Sequence, residues 1–320
     1  MLVAGCWGLN FPATEIALEH FPPLLMVALR FGLVAIPAVA LVPRPNVKWR
    51  WLLGTGLGLG MLQFAFLYLG MAAGMPSGLA SLVLQASAPF TLLLAGVWLG
   101  ERLTSRQALS TLIAMAGLTA IAIHRGQNAA LLPMVLTLCG ALGWAIGNVC
   151  SRRAQAPNPL QLTLWMSVVP PIPLLVASLI FEGPPRIHSA LLGLTSLRAL
   201  PSVLGLIYIV VVATLIGYGL WNTLLARYPS STVAPFSMLV PVVGVASSWL
   251  LFGERPDIVE LVAGAVVIGG VLLGSLIGGP EPVAKITSRR REPKPAPHVG
   301  GAPSPRPTQD REDHLVPVED

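Results

Sequence analysis

Charge is what this sequence has least of. Only 11% of its 320 residues are charged, whereas soluble domains carry roughly 25%. Apolar residues make up 54% of the chain, and the mean hydropathy is +0.73. A water-soluble fold of this length could not hide so much apolar surface, so the chain reads as a polytopic membrane protein. Aspartate is missing until Asp257, which removes an aspartyl protease with two buried carboxyls. None of the five histidines is central to an apolar run, and no HExxH occurs. Neither an intramembrane Ser–His protease nor a zinc protease is therefore expected. No Gly-Lys-Ser/Thr follows the glycine-rich stretches, which excludes a phosphate loop and direct drive by ATP. Cys6, Cys139 and Cys150 are odd in number and lie in or beside apolar runs. Their spacing gives no disulfide framework and no metal cluster. No catalytic residue, metal or cofactor is expected, and the net charge of +6 gives no case for nucleic acid.

Repetition is the main positive signal, and it is best sought first. Gly100-Glu101-Arg102 closes an apolar run holding Pro89, and Gly253-Glu254-Arg255 closes one holding Pro241. Gly117 follows Glu101 at the same interval as Gly270 follows Glu254. A spanning helix needs about 20 mostly apolar residues. Ten runs qualify, near 1–18, 22–42, 51–73, 78–99, 107–124, 130–150, 160–181, 202–225, 232–252 and 258–279. The expected fold is all-α, ten transmembrane helices in two five-helix repeats, 1–124 and 130–279. An odd number per repeat sends the second copy through the membrane upside down. Such inverted repeats hold substrate at their interface.

Basic residues set the orientation. Arg44, Lys48, Arg50, Arg102, Arg106, Arg152, Arg153 and Arg227 share one side, against Arg125, Arg186, Arg198 and Arg255 on the other. That bias predicts cytoplasmic termini. The first run begins at Met1 without a charged leader, so the expectation is a start upstream or a short first helix, and not a cleavable signal peptide. The longest link, Glu182 to Leu200, predicts a short surface helix. Residues 280–320 turn Pro- and Arg-rich, which predicts a disordered cytoplasmic tail.

Polar groups inside spans are costly and mark candidate sites. Arg30 is the clearest anomaly, and Glu15 is its nearest partner in sequence. A Glu15–Arg30 pair or snorkelling to the interface competes with a role in attracting a substrate carboxylate. Trp7 with Asn10, and Trp144 with Asn148, each share a helical face and recur in both halves. Gln63 and Gln85 stand alone in apolar helices, and Tyr218 and Asn222 share a face. All nine are cavity candidates, although helix–helix hydrogen bonding explains several equally well. Glu15 is the coupling candidate, while Pro89 and Pro241 are hinge candidates. Gly54, Gly56, Gly58, Gly60, Gly143 and Gly147 read as close helix packing.

These residues resemble the EamA family of the drug/metabolite transporter superfamily. The resemblance rests on Trp7-Gly8-Leu9-Asn10-Phe11, Leu29-Arg30-Phe31, Met75 through Gln85, Gly100 through Leu103, Gly143 through Asn148, Gly217-Tyr218-Gly219 and Val233 through Gly244. It implies an inner-membrane exporter of amino acids or related small metabolites, cysteine- or O-acetylserine-like, working by alternating access. The expected partners are a small-molecule substrate and the lipid bilayer, with a homodimer left open. A drug or nucleotide-sugar carrier of the same superfamily, or a non-transporting scaffold, is the rival reading.

Overall fold

The computed structural model describes residues 1–100, 104–128, 131–228 and 233–277. Glu101 and Arg102 of the repeat and the 280–320 tail lie outside the described residues. The described residues are helices and links, with no strand among them. The first apolar run forms two helices, α1 (Leu2–Gly8) and α2 (Asn10–Leu18). The break at Leu9 has a local cause: Pro12 has no N–H to offer the Gly8 carbonyl.

Seven longer helices follow among the described residues, each long and apolar enough to cross a membrane. They are α3 (Pro23–Leu41), α4 (Trp49–Ala72), α5 (Ser77–Leu99), α6 (Ser105–His124), α7 (Leu132–Ala154), α8 (Pro159–Phe181) and α10 (Leu197–Leu224). Between α8 and α10 the link carries the expected short helix, α9 (Pro184–Leu192). Its Ile187 and Ala190 are buried against Leu25. Two shorter apolar helices close the bundle, α11 (Phe236–Phe252) and α12 (Ile258–Leu273). Ile36, Val97, Ile172 and Leu250 point outward as exposed apolar side chains, the surface that acyl chains accept and water does not.

The sequence repeat has structural counterparts. Gly100 and Gly253 end α5 and α11 with φ of +69° and +68°, the left-handed cap that glycine adopts at no steric cost. A 3₁₀ turn precedes each recurrent proline, Leu84–Ala86 before Pro89 and Ala234–Met238 before Pro241. Single π segments interrupt α4 at Gly56–Leu62 and α10 at Tyr208–Ile216. The repeat glycines meet reciprocally: Gly117 abuts Ala263 and Val267 of α12, and Gly270 abuts Ser110 and Ala114 of α6.

The glycine-rich stretch of α4 packs on two neighbours. Gly54 and Gly58 face α7 at Cys150 and Gly147, while Gly56 and Gly60 face Val169 and Pro170 where α8 is broken. Small residues bring these backbones together as expected.

Candidate functional site

Arg30 lies on α3, two turns in from its start, and is only 2% exposed. Its Nη1 donates to the Tyr68 hydroxyl at 2.7 Å. The guanidinium carbon stands 3.9 Å from the Phe64 ring centroid and 5.5 Å from that of Phe31. Its Nε is buried without a hydrogen-bond partner. No carboxylate answers it: the one ion pair among the described residues joins His124 to Asp257, at 3.4 Å. A cation held this deep with only a phenol and aromatic faces is costly.

The expected Glu15–Arg30 pair is not formed, nor does Arg30 reach the interface. Glu15 instead lies against Ser77 and Glu254. The cause is the direction in which α2 packs, because it rests on the start of α5 and on α11 far more than on α3.

Three of the sequence candidates do come together. Tyr218 lies near enough to Arg30 for its phenol to feel the guanidinium charge. Trp7 packs on Tyr218 with ring centroids 5.2 Å apart and on Trp221 at 5.4 Å. Its indole N–H donates at 3.0 Å to the Ala213 carbonyl, inside the α10 π segment, where widened turns put backbone acceptors in unusual places. Trp221 in turn walls a cavity of about 240 Å³ with Val3, Ala4, Tyr228, Phe236 and Ser237. An aromatic series therefore runs from that cavity through Trp221, Trp7 and Tyr218 to Arg30.

Asn10 and Gln63 are also buried, and each keeps an unpartnered side-chain oxygen, Oδ1 and Oε1. The others are engaged elsewhere. Asn148 Nδ2 donates to Thr91 Oγ1 at 3.2 Å, tying α7 to α5. Gln85 Nε2 donates to the Met238 sulfur at 3.3 Å. Asn222 Nδ2 returns to the Tyr218 carbonyl of its own helix at 2.8 Å, and Trp144 packs against the main core. The Trp144/Asn148 face thus does not join the Trp7 cluster in this state.

Sequence reasoning missed Tyr68 and Phe64, which hold Arg30. The available signal was their four-residue spacing, which stacks two aromatics on one helical face.

A family model described as EamA-like transporter family matches residues 1–123 and again 131–276. A probable amino-acid metabolite efflux pump of Escherichia coli is 40% identical over 279 residues, which is 85% of this chain and 92% of that protein. A probable terminal-alkyne amino-acid exporter of Streptantibioticus cattleyicolor is 25% identical, covering 85% of this chain and 91% of its own. A crystal structure with 18% sequence identity superposes with a TM-score of 0.57, covering 86% of this chain and 95% of that one. At that identity it speaks for the fold alone.

Proposed function

We propose a function from the premise that the chain belongs to the EamA-like transporter family. It exports amino acids or related small metabolites, cysteine- or O-acetylserine-like, across the inner membrane by alternating access. The observation that carries this reading is Arg30, a buried guanidinium with an unpartnered Nε and no carboxylate partner among the described residues. A substrate carboxylate supplies the missing charge, and Arg presents donors in a fork that matches it. The buried oxygens of Asn10 and Gln63 are acceptors suited to an ammonium group. The names of the Escherichia coli and Streptantibioticus cattleyicolor relatives, an amino-acid metabolite efflux pump and an amino-acid exporter, support the same substrate class.

The architecture in this reading has ten spans. The broken Leu2–Leu18 run, seven long helices and the two shorter ones make up that number, five to each family match, and the odd count inverts the second. The basic links then place both termini in the cytoplasm, and the 240 Å³ cavity beside α1 becomes the loading vestibule. Pro89 and Pro241, each behind a 3₁₀ turn, serve as hinges. Glu15 is the carboxyl available for proton coupling.

A nucleotide-sugar carrier is disfavoured, because a diphosphate calls for several cations and Arg30 is the single buried arginine among the described residues. The decisive experiment is transport in proteoliposomes with labelled cysteine, O-acetylserine and other amino acids, with and without a pH gradient. Saturable transport of an amino acid is expected. Silence for every amino acid, alongside transport of cationic drugs, would overturn the substrate assignment.

Tyr68→Phe tests the site more finely. It removes the one side-chain hydrogen bond to Arg30, a loss of about 1 kcal/mol. The expected result is a KM raised roughly fivefold at unchanged membrane abundance, read from the concentration dependence of transport.

A further inference from the structure

Two helix starts in the first family match lack a cap of their own. Both α3 and α5 begin after a proline, Pro22 and Pro76, and neither offers a side-chain acceptor. The orphan N–H groups of a helix's first turn need acceptors, and here they come from far away in the chain. Glu182 accepts from Leu24 N at 2.7 Å and Leu25 N at 3.1 Å, and Ser178 Oγ donates to its Oε2. Glu254 accepts from Ser77 N and Ser77 Oγ at 3.1 Å, and from Gly78 N at 3.1 Å. Gly78 makes room for this contact, since a Cβ there would stand 3.2 Å from Glu254 Oε2.

The placement is the same in both cases. Each glutamate follows the C-terminus of a helix in the second family match, α8 or α11, and each receiving helix lies in the first. Both contacts sit at one end of the bundle, since α2 carries Glu15 beside Ser77 and Glu254 and, ending at Leu18, leads directly into the α3 start at Pro23. Helix α11 shows which end: Phe236 at its start walls the 240 Å³ cavity beside α1, and Glu254 lies just past its finish, beside a smaller hollow of about 130 Å³ that Gly78 and Leu79 also line. The two ends are about 25 Å apart at 1.5 Å per residue. A cap borrowed from a neighbouring residue would survive any rigid movement of its helix. These two cannot survive separation of the halves.

We propose that Glu182 and Glu254 are positioning residues that hold the end opposite the cavity shut, and that the carrier opens that end by withdrawing both carboxylates from the α3 and α5 N-termini. The proposal rests on the carrier reading, but its test needs no substrate, so a wrong substrate class leaves the test intact.

The test is accessibility of a buried reporter. Ser81 is 1% exposed, one turn below Ser77. Ser81→Cys would be placed in full-length protein with Cys6, Cys139 and Cys150 replaced by alanine, and labelled by a membrane-impermeant maleimide from each face. E182Q/E254Q is expected to raise labelling roughly tenfold, from the face opposite the cavity, because hydrogen bonds to a charged acceptor are lost. A second variant adds P22S and P76S, which give both helices local N-caps and secure folding. Labelling should stay raised there, since local caps finish the helix starts without tying the halves together. Parental labelling in the first variant, return to parental labelling in the second, or labelling from the cavity face alone would overturn the proposal.

Discussion

Arg30→Ala is expected to abolish transport of carboxylate-bearing substrates while membrane abundance stays near the parental level. Two consequences of one geometry lie behind this. Among the described residues Arg30 has a phenol and two aromatic faces but no counter-ion, so alanine relieves a buried charge and breaks no ion pair. Toward substrate, removing one partner of a desolvated charge pair costs about 3–5 kcal/mol, which is roughly a hundredfold or more in affinity. Arg30→Lys should fall between, because an ammonium keeps the charge and loses the planar fork. Initial rates in proteoliposomes, normalised to reconstituted protein, separate these outcomes. Parallel loss of abundance and transport would return Arg30 to a purely structural role.

Gly58→Val and Gly147→Val are expected to remove the folded protein from the membrane. A Cβ at Gly58 would lie 2.3 Å from the Gly147 amide nitrogen, and one at Gly147 would lie 2.4 Å from the Leu59 nitrogen. These obstacles are backbone, so no side-chain rotamer relieves them, and α4 and α7 would have to separate along their crossing. Overpacking a well-filled interior costs about 1–3 kcal/mol when side chains can yield, and a backbone clash lies at or above the top of that range. Gly269→Ala is the matched control. It sits in a helix with nothing within 4 Å of its added Cβ, and alanine is the better helix former. Thermal unfolding in detergent should drop steeply for the two valine variants and hold or rise for the control. Equal behaviour of all three would mean that the crossing is looser than its interatomic distances.

Much of the fold was legible in the sequence because the membrane writes it there. Apolar runs mark the helices, the Glu182–Leu200 link carries its short helix, and the α4 glycines mark close crossings. The recurring motifs share backbone detail, left-handed glycines at Gly100 and Gly253 and 3₁₀ turns before Pro89 and Pro241. Arg30 was also visible as an anomaly. What surrounds it was not, since packing of α4 and α10 on α3 is what brings Tyr68 into contact with it and Tyr218 into its neighbourhood. Proximity in sequence misled for Glu15, because a three-residue turn brings two helices near without aiming their side chains at each other. Glu254 stood out as a helix-end carboxylate closing its own hairpin, but the distant partners of Glu182 and Glu254 were hidden for the same reason. Their trace was indirect: prolines stand at the cap positions of α3 and α5, where Ser, Thr, Asp or Asn would serve the helix.

Helix α11 has one more property, which is mechanical. Pro241 divides it unequally, with about 8 Å between Phe236 and the proline and about 17 Å between the proline and Phe252. A rod that pivots at that point is a lever with arms in a ratio of about one to two. In the proposed carrier reading, a helix that turns about Pro241 as one stiff body doubles a displacement beside Phe236 at the long arm, where Glu254 is attached. A helix that bends at Pro241 delivers none of it.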